Sequence, residues 1–102
     1  MDSSFVSQLI EKYQIKCDYI HRYIDVVSEI GELGKELLNV TNYGKKTFQA
    51  TPEVEQEIGD CLFSLLALCT ELNIKPDKAL AFAIEKYEKR FQETGSISSI
   101  AK

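Results

Sequence analysis

Apolar positions in this chain recur every three to four residues in four stretches, with no strict alternation and no Asn-Gly or Asp-Gly hairpin signal between them. That spacing predicts an all-α fold. The first stretch, Ser4 to Lys16, would bury Phe5, Val6, Leu9, Ile10 and Tyr13 along one helix. The second runs from Asp18 to Asn42 and closes at Tyr43-Gly44, because glycine suits the left-handed cap that ends many helices. Thr51-Pro52-Glu53 opens the third with a capping hydroxyl, a proline whose φ is already set and an acid in the first turn, and the pattern continues to Asn73. Pro76-Asp77 opens the fourth, which carries Leu80, Ile84, Tyr87 and Phe91 on one stripe to Gln92. Residues 1–94 read as a single domain, and 95–102 as a flexible C-terminal tail. Between Ile58 and Cys69 the only polar side chains are Asp60 and Ser64, so the third helix is apolar almost all round. Three short neighbours do not cover such a helix, and the expected architecture is a four-helix bundle-like subunit completed by dimerisation, as a homodimer or homotetramer.

Composition narrows the class. The 102 residues are 44% hydrophobic and 27% charged, the balance of one soluble domain. The longest apolar run, Cys61 to Cys69, is broken by Ser64 and preceded by Asp60, which fits a buried helix and excludes a membrane span. Met1-Asp2-Ser3-Ser4 carries neither a basic region nor an apolar signal core, which points to the cytoplasm. A net charge of -4 and the lack of a basic stripe argue against polymeric nucleic acid as a partner. Three cysteines without metal-finger spacing read as reduced thiols. Cys61 and Cys69 would stand about 12 Å apart along their helix, too far to bridge or to share an ion.

The charged positions carry the chemistry. Asp25, Glu29, Glu32 and Glu36 fall within roughly a 60° arc of the second helix, with no lysine or arginine among them. Ile20, Ile24, Val26, Val27, Ile30, Leu33, Leu37, Leu38 and Val40 occupy the rest of that helix, so Glu29 and Glu32 are expected on an element largely enclosed by protein. On the third helix Glu53, Glu57, Asp60, Ser64 and Glu71 form one narrow polar stripe. A carboxylate taken out of water protonates, pairs or binds a metal. A solvated acidic face would explain the first stripe alone; two stripes, one on an otherwise apolar helix, point to a metal site made by Glu29, Glu32, Glu57 and Asp60. All-oxygen donors suit Mg2+, with Mn2+ the alternative. With His21 as the only histidine, a di-iron or zinc centre does not fit, and His21 itself reads as structural. Lys45 and Lys46, in the loop that leads to Phe48, are the densest basic spot not balanced by nearby acids, and by themselves they read as a solvated loop.

Ser28-Glu-Ile-Gly-Glu-Leu33 and Glu57-Ile-Gly-Asp-Cys-Leu-Phe63 together resemble the MazG-like, all-α nucleoside triphosphate pyrophosphohydrolases. Leu66 to Asn73, the Pro76-Asp77-Lys78-Ala79-Leu80 start and Lys86-Tyr87-Glu88-Lys89-Arg90-Phe91 extend the likeness over Val26 to Phe91. The resemblance implies that Glu29, Glu32, Glu57 and Asp60 bind the magnesium that a triphosphate bridges, and that Lys86 and Arg90 face phosphate. Their spacing of one turn beside small Ala79 and Ala83 agrees with that role, as it does with salt bridges to the acidic stripes. Two departures stand out: many members carry a doubled glutamate where this chain has Ser28-Glu29, and many carry asparagine at Ile84.

The expected function is therefore a Mg2+-dependent hydrolysis of a nucleoside or deoxynucleoside triphosphate to the monophosphate and pyrophosphate. Glu29 or Glu32 would take a proton from water, and Lys86, Arg90 and Lys45 would hold the polyphosphate. The alternatives are a non-catalytic helical module with a metal-stabilised core, and a phosphoribosyl-ATP pyrophosphohydrolase.

Overall fold

A computed structural model describes residues 4–95. It contains four helices, α1 (Ser4–Lys12), α2 (Tyr19–Val40), α3 (Pro52–Glu71) and α4 (Pro76–Thr94), and no strand among the described residues. The starts follow the sequence signals. Asp18 caps α2 by accepting from the His21 backbone N–H at 3.0 Å, and its carboxylate also contacts His21 Nδ1 at 2.8 Å. Thr51 caps α3 through the Val54 N–H at 3.2 Å, with Pro52 in the first turn.

Three of the ends come earlier than expected, and α4 runs on to Thr94, past the expected Gln92. α1 stops at Lys12 instead of Lys16, because Gln14 turns left-handed and Ile15 N–H reaches back to the Ile10 carbonyl. The same double hydrogen-bonded turn ends α2 at Asn42 and α3 at Asn73, both with positive φ. Gly44 is left-handed too, but it lies in the turn beyond that cap. Gly95 ends α4 with its N–H on the Phe91 carbonyl, and the rest of the expected tail lies outside the described residues.

α2 and α3 form an antiparallel hairpin, and α1 packs across the C-terminal half of α3. Val6 and Ile10 meet Leu66 and Ala67, with Phe63 beside them, and Ser7 and Thr70 share a hydroxyl hydrogen bond of 3.1 Å. Phe5, Leu9 and Tyr13 stay exposed, contrary to the expected core, because so short a helix turns only one edge to its neighbour. α4 makes no comparable packing with the other helices, and none of its residues is buried. The four helices thus do not close as a bundle within one chain. The radius of gyration is 16.9 Å, against about 13 Å for a compact chain of this length.

The consequence is exposed apolar surface. Ile20, Ile24, Val27 and Ile30 on α2, Ile58, Leu62 and Leu65 on α3, and Leu80, Phe82, Ile84 and Phe91 on α4 are all exposed. The enclosure of α2 expected from its sequence is not supplied by its own chain. No described helix is long and apolar enough to cross a membrane.

Candidate metal centre

Antiparallel packing brings the two acidic stripes face to face. Along one groove Asp25 meets Ser64, Glu29 meets Asp60, and Glu32 and Glu36 approach Glu57. One carboxylate oxygen each from Glu29, Glu57 and Asp60 lies within 4.8 Å of the others. Glu29 and Glu57 are half-buried, and Asp60 forms the exposed lip. Glu32, grouped with them from the sequence, is exposed and stands outside the three-oxygen cluster, although its charge acts on both Glu29 and Glu57. Glu29, Glu57 and Asp60 are the residues that could hold a divalent cation here, and their all-oxygen donor set fits Mg2+.

Electrostatics give the cluster its character. Burial raises the Glu29 pKa above the usual carboxylate range, and the charges of Asp60, Asp25, Glu57 and Glu32 push it further. Glu57 is raised by burial first, then by Asp60, Glu32 and Glu36. Every charge acting on either residue is another carboxylate. The pKa of the Cys61 thiol, on the same groove, is raised by burial and then by Glu29, Glu57 and Asp60.

The cations expected at the site lie elsewhere in this chain. Lys86 Nζ and Arg90 Cζ flank the Tyr87 ring at 4.7 and 5.8 Å from its centroid, on the helix that makes no comparable packing with α2 or α3. Among the described residues neither pairs with the acidic stripes, which removes the salt-bridge alternative within one subunit. Lys45 is exposed in the turn after α2 and pairs with no carboxylate among the described residues. His21 pairs with its own cap residue, Asp18, consistent with a structural role. The three cysteines are free thiols.

Two features escaped the sequence reading. Ser64, 1% exposed, donates a 2.6 Å hydrogen bond to Asp25 Oδ2 across the groove; the visible signal was a lone hydroxyl within an apolar run, level with an acid on the facing stripe. Arg22 is buried, with Nη2 donating to the Ile15 carbonyl, and it lines a cavity of about 510 Å³ with Ser7, Ile10, Gln14, Ala67 and Thr70. Its signal was a cation among the isoleucines of α2.

Comparison with known proteins adds the family. The chain is 35% identical over 68 residues to the Uncharacterized protein YpjD of Bacillus subtilis (strain 168), a match covering 64% of this chain and 60% of that protein. The chain thus spans less than two-thirds of that relative's length, and no solved structure matches it. A family model described as the MazG nucleotide pyrophosphohydrolase domain matches residues 6–94, which include both acidic stripes and the cationic flank of α4. With the groove of facing carboxylates between α2 and α3, that match makes the chain a member of the MazG nucleotide pyrophosphohydrolase family.

Proposed function

We propose that the protein hydrolyses a nucleoside or deoxynucleoside triphosphate to the monophosphate and pyrophosphate, with Mg2+ or Mn2+ held by Glu29, Glu57 and Asp60. The observation that carries this reading is the convergence of three carboxylate oxygens within 4.8 Å with no lysine or arginine acting on them. Such a cluster lacks a counter-charge until a cation binds. The bound metal supplies charge neutralisation at the phosphate oxygens and a lowered pKa for water. Glu32, exposed and outside the three-oxygen cluster, keeps a free carboxylate that accepts the proton of the attacking water, with Glu29 as the alternative acceptor. The water oxygen bonds to the α-phosphorus, the bond to the bridging oxygen breaks, and pyrophosphate leaves.

The same reading assigns Lys86 and Arg90 to the polyphosphate, and the detached α4 makes their supply intermolecular. We propose a homodimer, or a dimer of dimers, in which a second copy covers the apolar faces of α2 and α3 and brings its own α4 to the acidic groove. The exposed rows on all three helices support this, since water-exposed apolar surface on that scale favours association. Lys45, at the end of α2, is assigned a more peripheral phosphate contact. A cytoplasmic setting belongs to the same proposal.

The test is pyrophosphate release from a panel of ribo- and deoxynucleotides, modified bases and phosphoribosyl-ATP, with Mg2+ present. Turnover of one or more panel members, lost in Glu57→Gln, is the expected result. A folded, metal-binding protein that turns over none of them would reduce the chain to a non-catalytic helical module. Preference for phosphoribosyl-ATP would move it to that narrower reaction.

A further inference from the structure

Next to the three clustered carboxylates, the α2–α3 groove holds a polar contact with no assigned role. Ser64, at 1% exposure, is buried as deeply as Ala67, and it lies within the apolar run of α3. A hydroxyl there is unfavourable unless bonded. Its partner is Asp25 Oδ2 at 2.6 Å, a length typical of a hydroxyl donating to an ionised carboxylate. Among the described residues this is the only side-chain hydrogen bond between α2 and α3. Asp25 lies one turn before Glu29 on α2, and Ser64 one turn after Asp60 on α3, so the pair forms the next rung of the ladder that holds the acidic centre.

Fastening two helices does not require a charge at position 25, since a neutral amide oxygen also accepts from a hydroxyl. An aspartate instead adds a sixth carboxylate, beside Glu29, Glu32, Glu36, Glu57 and Asp60, to a groove whose other charges are all negative. A divalent cation in the groove turns that repulsion into attraction.

We propose that Asp25 is a positioning residue of the metal centre: Ser64 fixes its carboxylate through Oδ2, leaving Oδ1 to hold water ligands of an ion bound by Glu29, Glu57 and Asp60. The inference rests on the reading of that cluster as a divalent-cation site. Partners of this kind characteristically change metal affinity by about 10- to 100-fold when removed.

The experiment is Mn2+ titration of the full chain followed by electron paramagnetic resonance, together with thermal unfolding in chelator. Asp25→Asn keeps an acceptor for Ser64 and removes only the charge. It is expected to weaken Mn2+ binding by about tenfold, with no loss of thermal stability in chelator. Ser64→Ala keeps the charge and removes the fastening, and is expected to weaken Mn2+ binding less while lowering the unfolding temperature. Wild-type Mn2+ affinity in Asp25→Asn would overturn the proposal and leave the metal-site reading intact. A wild-type chain that binds no Mn2+ at millimolar concentration would remove both.

Discussion

At the scale of single residues, the groove is built to be unsatisfied without a cation. Glu29 and Glu57 both have raised pKa values, from burial first and neighbouring carboxylates second. A carboxyl whose folded pKa lies above its unfolded one binds more protons in the folded state. Its contribution therefore favours folding at low pH and is lost as pH rises through the carboxylate range toward the raised value. The contribution of these two groups to the unfolding temperature of the metal-free protein should accordingly fall from the lower to the upper end of the carboxylate range, opposite in sense to that of Asp18, whose pKa is lowered by its hydrogen bonds to His21. Mg2+ or Mn2+ should raise the unfolding temperature more at the upper end, because the ion binds the deprotonated cluster. Differential scanning fluorimetry with and without chelator checks both statements, and a metal response that is equal at the two ends of that range would oppose them. Glu57→Gln should raise the metal-free unfolding temperature near neutrality, abolish the metal response and lower any turnover by at least about 100-fold. These carboxylates were legible in the sequence because period and charge alone put them on two faces. The sequence did not separate Glu32 from the other three, since the register of α2 against α3 decides which oxygens converge.

At the scale of elements, the helices were legible from apolar period and from their starts at Asp18, Thr51-Pro52 and Pro76. Their ends were less so. Three of four close on Gln14, Asn42 and Asn73 in the left-handed conformation, where the sequence signal sought was glycine. A side chain there pays a steric cost that glycine avoids. Gln14→Gly should thus stabilise the α1 end by about 0.5–1 kcal/mol, measured by urea unfolding, whereas destabilisation would indicate that the Gln14 side chain is needed beside the Arg22 cavity. At the opposite end of the scale, Thr51→Ala removes the cap of α3 and should cost about 1 kcal/mol in the same assay. A neutral result would mean that Pro52 and the first-turn acids suffice to start the helix.

For the whole molecule, the least legible feature was the relation of α4 to the rest. Its stripe of Leu80, Ile84, Tyr87 and Phe91 predicts a buried face, but amphipathicity does not say which chain buries it. The account assigns that role to a second copy, so Phe91→Glu should convert an assembly into monomers by light scattering and abolish turnover with it. Mixing Glu57→Gln chains with Lys86→Ala/Arg90→Ala chains should restore activity if α4 serves the partner's groove, because one site per mixed dimer is then complete; no restoration would mean that each chain serves itself. Metal-dependent cleavage at the α-phosphorus by the proposed Glu29–Glu57–Asp60 centre is read out by turnover in heavy-oxygen water with Mg2+. Label is expected in the nucleoside monophosphate and none in pyrophosphate, with no product from Glu57→Gln or in chelator. Label in released inorganic phosphate, or undiminished turnover by Glu57→Gln, would contradict that proposal.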